Sequence, residues 1–86
     1  MPEVSRFFGI VIRMYFDDHN PPHFHARYND TESLFAIDPI REMRGDLNRR
    51  AASMVIEWAA LHQHELLHNW ERLHTDQPLL KIDPLS

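Results

Sequence analysis

Hydrophobic positions along the first part of the chain follow a period of two. Apolar residues alternate with other residues from position 7 to position 16, which predicts a β-strand. The face expected to be buried consists of Ile10, Ile12, Met14 and Phe16. A second alternating run at 23–28 predicts another strand, with His23, His25 and Arg27 projecting from the same side.

Two shorter apolar runs follow, separated by turn-forming residues. Asn29-Asp30 and Asp38-Pro39 are typical of turns, so residues 34–37 predict a third strand and residues 40–44 a fourth candidate strand. Gly45 then ends the alternation. We therefore expect three to four strands joined by short connections.

The hydrophobic period changes to 3.6 at about residue 48, which predicts one long helix at about 48–74. This segment contains no proline or glycine, and its apolar positions form one stripe. The stripe consists of Ala51, Val55, Trp58, Ala59, Leu66, Trp70 and Leu73. We expect an α+β fold, a small antiparallel sheet of three to four strands covered on one face by one long C-terminal helix. Residues 1–86 are expected to form a single domain, with strands at about 7–44 and a tail at 75–86.

Composition restricts the chemistry available to the chain. Its 86 residues include no cysteine, so disulfides and thiolate ligands are excluded. A chain of this length buries too little surface for a deep enclosed active site in a monomer. No apolar run approaches the roughly 20 residues needed to span a bilayer. We expect a soluble, cytoplasmic protein with no membrane partner.

Candidate chemistry is concentrated in the segment Asp18-His19-Asn20-Pro21-Pro22-His23-Phe24-His25. His23 and His25 on one side of a strand have a spacing that suits two ligands of one metal ion, and Asp18 or His19 could complete the site. A divalent metal such as zinc is the candidate cofactor. Two alternatives stay open: acid–base catalysis by His19, His23 and His25 without metal, and a structural or partner-binding role for these histidines.

The predicted helix contains a second histidine motif, which we interpret as a chance match. His64-Glu65-Leu66-Leu67-His68 has the H-E-x-x-H pattern of zinc peptidases. Helical geometry places His64 and His68 nearly opposite the apolar stripe, on a solvent face rather than in a cleft. Glu71 stands where the extended motif needs glycine, so a continuing helix would point His74 away. His62 lies on the stripe itself and is expected to be a hydrogen-bonded core or boundary histidine.

Charge suggests a second candidate binding surface. The net charge is −4, which argues against a general nucleic-acid binder. However, Arg41, Arg44, Arg49 and Arg50 cluster around the expected helix start, where backbone N–H groups attract anions. We interpret these arginines, with Asp18 and Arg27, as candidate binding residues. Nucleic acid is one candidate partner, and a solvated surface is the alternative.

Several segments together resemble a known family. They are Ser5-Arg6-Phe7-Phe8-Gly9-Ile10, Met14-Tyr15-Phe16, the segment from Asp18 to His25 together with the following Ala26-Arg27-Tyr28, Glu57-Trp58 and Asn69-Trp70-Glu71. The chain thereby resembles the small bacterial proteins of the four-one-six-zero family of domains of unknown function. This resemblance implies no agreed activity. It implies a gene encoded beside another small uncharacterised protein, in an arrangement similar to a toxin–antitoxin pair.

Two functions from different classes follow from the sequence. The favoured one is a binding or regulatory module, one component of a toxin–antitoxin-like two-protein operon, whose loop and arginines contact a small protein partner or nucleic acid. The alternative is a small metal-dependent hydrolase or nuclease that uses the histidine-rich loop, with Arg27 steadying an anionic substrate. Whether the chain is an enzyme stays open at this stage. A homodimer is a further expectation, because one helix covers only one face of the sheet.

Overall fold

The computed structural model describes residues 2–86 and contains a five-stranded antiparallel sheet followed by two helices. The elements are β1 (Glu3–Phe7), β2 (Ile10–Arg13), β3 (His23–Tyr28), β4 (Thr31–Ile37), β5 (Ile40–Gly45), α1 (Arg49–Leu61) and α2 (Gln63–Leu73). The strands lie in the order in which they occur along the chain. The α+β class and the antiparallel sheet are confirmed, whereas the expected number of strands and the single long helix are not.

The additional strand arises because the alternating run at 7–16 crosses a hairpin turn. Phe8 and Gly9 both have positive φ, 51° and 81°, as a two-residue hairpin connection of the primed type requires. Phe7 pairs with Ile10 across this turn, so the hydrophobic alternation continues through it. Phe16 was expected to be buried but is 75 % exposed. The reason is that β2 ends at Arg13 and the chain then enters a loop.

The predicted helix is divided at His62, which caps the end of α1 and the start of α2. A straight helix over 48–74 would be roughly 40 Å long at 1.5 Å per residue. The longest dimension of the molecule is 34 Å, so an undivided helix would extend beyond the sheet it covers. Gln63 Nε2 donates to the carbonyl of Ile37, which ties the start of α2 to the end of β4. Within residues 2–86, no helix is long and apolar enough to cross a membrane.

The core lies between the helices and one face of the sheet. Phe24 of β3 stacks on Phe35 of β4 at 5.5 Å between ring centroids, and Trp58 of α1 meets Phe24 edge-on at 5.8 Å. All three side chains are fully buried. Trp70 of α2 is also buried, so both tryptophans lie in the core as the apolar stripe predicts.

The C-terminal tail docks against α2 and β1. Asn69 is buried and pairs with the backbone of Leu80 through both ends of its amide, at 2.9 and 3.0 Å. Ile82 N–H donates to the carbonyl of Val4, and the Trp58 indole donates to the carbonyl of Asp83. The tail therefore closes the core beside β1.

Replacement of Asn69 by alanine should destabilise the fold. The substitution removes both hydrogen bonds that hold the tail at Leu80, and each such bond contributes about 0.5–1.5 kcal/mol. Urea unfolding of Asn69→Ala should therefore show a free energy of unfolding lower by about 2 kcal/mol. His68→Ala, at an exposed neighbouring position, is the control and should change stability little. Equal stabilities of the two variants would contradict this role of Asn69.

Candidate functional site

Alternation along β3 places the two histidines on the sheet face opposite the Phe24 side of the core, where Trp70 of α2 still reaches the ring of His23. Phe24 and Ala26 point into the core, so His23 and His25 project from the opposite side. We call this side the open face. The loop between β2 and β3 returns over the end of the sheet and brings Asp18 to both histidines.

The Asp18–His23–His25 cluster is compact. Asp18 Oδ2 lies 3.0 Å from His25 Nε2 and 3.4 Å from His23 Nε2. One candidate ligand atom from each of the three residues lies within 4.8 Å of the other two. The three side chains are between 12 and 20 % exposed. The cluster is therefore accessible from solvent, although most of its side-chain surface is buried by neighbouring residues.

The other ring nitrogen of each histidine has a hydrogen-bond acceptor. His23 Nδ1 lies 2.8 Å from the carbonyl oxygen of Pro21, and His25 Nδ1 lies 3.1 Å from Glu32 Oε2. Since both partners accept, each Nδ1 is placed to donate, while Asp18 Oδ2 offers an acceptor to each Nε2. When a ring donates from Nδ1 as a neutral imidazole, its Nε2 lone pair is free for a metal ion. This arrangement of ring nitrogens is the one that metal-ligating histidines adopt.

Glu32 was missed by the sequence analysis. The two-residue Asn29-Asp30 turn pairs Tyr28 with Thr31 and therefore His25 with Leu34. Glu32 lies two residues from Leu34 on the same face, diagonal to His25. The Asn29-Asp30 turn sets the β3–β4 register, and side-chain alternation then places Glu32 on the same face as His25. These two sequence features would have been enough to predict the contact.

His74 was also missed as a residue that positions the loop. Its ring Nδ1 lies 2.8 Å from the carbonyl oxygen of Trp70, and its Nε2 lies 3.0 Å from the backbone carbonyl of Asp18. The expectation that His74 points away assumed a continuing helix, but α2 ends at Leu73. His74 therefore joins the end of α2 to the loop that carries Asp18. Trp70 lies beside it and also contacts the ring of His23, with 5.4 Å between centroids.

The cluster opens into a groove of about 340 Å³ on the open face. His19 lines this groove but is exposed and lies outside the cluster. The structure therefore brings Asp18, His23 and His25 together, whereas His19 only lines the groove. Arg44 of β5 lines the same groove.

The arginines that the sequence grouped together are divided between two surfaces. Arg41 and Arg44 pair with Ala36 and Leu34 of β4 and belong to the open face, as does Arg27. Arg49 and Arg50 begin α1, which lies on the helical side. Arg50 lines a different groove there, together with Phe8 and Tyr28.

The histidines of the helical motif lie apart from the cluster. His64 and His68 are exposed on α2, as the helical geometry predicts. His62 is half-buried, bonds to Glu65 and lies beside Trp58 at 5.6 Å between ring centroids. His64 and His68 thus face solvent, and His62 is a hydrogen-bonded residue at the boundary of the core.

The fold and cluster define a small α+β domain with a candidate metal centre on the sheet. A family model described as Domain of unknown function (DUF4160) matches residues 9–71, and the chain belongs to this family. The matched region contains all three residues of the cluster and ends within α2. No curated protein and no solved structure matches the chain.

His74 should make the stability of the fold depend on pH. Hydrogen bonds to the carbonyls of Trp70 and then of Asp18 raise the pKa of His74 above its usual value of 6.5. The stabilisation by His74 is therefore fully present below about pH 6.5 and is lost as the pH rises through the raised folded-state pKa. We expect His74→Ala to lower the Tm more at about pH 5.5 than at about pH 8.5.

The control for this prediction is His68→Ala, which removes an exposed histidine of the same helix. Its Tm difference from the natural protein should stay small at both pH values. A loss of Tm in His74→Ala that grows with pH would contradict the assigned direction.

Proposed function

We propose that this member of the family is a metal-binding module in which Asp18, His23 and His25 hold a divalent ion such as zinc. The observation that carries the proposal is the convergence of two histidine Nε2 atoms on one oxygen of Asp18 while both Nδ1 atoms face acceptors. Imidazole and carboxylate are ordinary zinc ligands. The acceptors at Pro21 and Glu32 would fix the orientation of both rings.

A metal ion would account for the convergence of the cluster. When both rings donate from Nδ1, their Nε2 lone pairs and Asp18 Oδ2 converge on one position with no hydrogen between them. One divalent ion would interact favourably with all three ligand atoms at once.

The distances within the cluster suit a tetrahedral site. Zinc bonds of about 2.0–2.1 Å give a tetrahedron with edges of roughly 3.3 Å. The observed separations of 3.0 and 3.4 Å between Asp18 Oδ2 and the two Nε2 atoms are close to that value. Two edges of the site therefore already have nearly the length that zinc requires, and all three ligand atoms lie within 4.8 Å of one another.

Three protein ligands would leave one tetrahedral position open towards the groove. In the binding module that we propose, a donor side chain from a partner protein fills this position and links metal loading to complex formation. The small protein expected beside genes of this family is the candidate partner. The module would then be the metal-dependent component of a toxin–antitoxin-like two-protein operon.

An open position also supports a second candidate function. Catalytic zinc sites use three protein ligands plus water, and Arg44 on the groove wall would attract an anionic substrate. A small metal-dependent hydrolase or nuclease is therefore the alternative. Metal-loaded protein that cleaves phosphodiester substrates, with the activity lost in His25→Ala, would favour this alternative over the binding module.

Tag-free protein should bind one equivalent of zinc, measured by calorimetry and by elemental analysis after dialysis. His25→Ala should lose about 100-fold or more in zinc affinity because it removes a ligand. Glu32→Gln should lose about 10- to 100-fold because it weakens the acceptor that orients His25. Circular dichroism of each variant would verify that the fold is retained.

The matched control is the His64→Ala, His68→Ala double variant, which removes two exposed histidines outside the cluster. Its zinc affinity and stoichiometry should equal those of the natural protein. Zinc binding that survives His25→Ala but disappears in the double variant would move the metal site to α2 and overturn the proposal.

A further inference from the structure

The open face carries arginines on both sides of the cluster. Strand pairing aligns Arg13 of β2, His25 of β3, Leu34 of β4 and Arg44 of β5 in one row across the sheet. A neighbouring row contains Arg6, Val11, Arg27 and Glu32. Arg41 lies across from Ala36 and His23. Because neighbouring strands are about 4.8 Å apart, these arginines occupy positions on four of the five strands of the face.

The carboxylates on the open face already have partners. Glu3 forms a salt bridge with Arg6 at 2.9 Å, Glu32 contacts His25, and Asp18 contacts both histidines of the cluster. Within residues 2–86, no carboxylate lies within 4 Å of the guanidinium groups of Arg13, Arg27, Arg41 or Arg44. The Nε of Arg13 is also buried without a hydrogen-bond partner. The open face therefore retains cationic side chains that its own carboxylates do not neutralise.

This arrangement contrasts with the acidic balance of the whole chain, which is −4. Most of the acidic side chains lie on the helices, the tail and the connecting loops, whereas four of the arginines without a carboxylate partner lie together on the open face. We infer that the open face binds a single-stranded nucleic acid, with phosphates on Arg13, Arg27, Arg41 and Arg44. This surface differs from the arginine cluster expected from the sequence, because Arg49 and Arg50 lie on the helical side and are not part of it.

A single strand fits this surface better than an acidic protein does. Single-stranded nucleic acids commonly lie across sheet faces, where the phosphates meet cationic side chains and the bases stack on arginine planes or rings. Leu34 and Met43 supply apolar surface between the arginines, in the groove that also contains the cluster. At about 340 Å³ the groove reaches the size of a small-ligand site.

The test measures fluorescence anisotropy of labelled oligouridylate and oligothymidylate with protein treated with EDTA and with zinc-loaded protein. Arg41→Gln, Arg44→Gln should weaken binding roughly tenfold and reduce the salt slope by about one to two, at about 0.7 per lost phosphate contact. Arg49→Gln, Arg50→Gln removes the same charge from the helical side and should change affinity less than about twofold. The two oligonucleotides distinguish an RNA from a DNA strand.

Equal weakening by the two double variants, or no binding at low salt, would overturn the inference. Equal affinity for polyglutamate would also overturn it, since the open face would then recognise acidic polypeptides rather than nucleic acid. The inference does not depend on the proposed metal. Binding to the EDTA-treated protein would support it even if zinc failed to bind, and zinc binding without nucleic-acid binding would leave the metal centre intact.

Discussion

The burial of Phe24 between Phe35 and Trp58 fixes the orientation of β3, and the open face depends on that orientation. Side chains alternate across a strand, so a buried Phe24 requires His23 and His25 to project away from the core. A slip of one residue would bury both imidazoles and expose the phenyl ring. The hydrophobic effect at Phe24 therefore selects the register that brings the two histidines to Asp18.

Alternation along residues 23–28 was sufficient to predict that the two histidines share a side, because this signal is local. The helix boundary at His62 was not predictable in the same way, since no glycine or proline marks it and the start of α2 is tied to Ile37, a residue distant in sequence. The position of His74 depends on where α2 ends and on a contact with a loop far away in the chain. Phe16 was placed wrongly because periodicity does not show where a strand stops.

The cluster is held by both local and long-range interactions. Asp18, Pro21 and Glu32 contact the two histidines within the β2–β4 region, so these contacts are local in sequence. His74 adds a contact from the end of α2 to the backbone of Asp18. A small domain thereby reaches a defined side-chain geometry at its surface without enclosing a deep cavity.

Metal loading and anion binding on the open face would be coupled through charge. Asp18 and Glu32 lie among the arginines, and a divalent ion at the cluster would offset their negative charge. The metal should then raise the affinity for a phosphate strand, and linkage requires the strand to raise the affinity for the metal by the same factor. Arg13 of β2 pairs directly with His25, so a phosphate on Arg13 and the ion would interact at the distance of neighbouring strands, where screening by salt is weak.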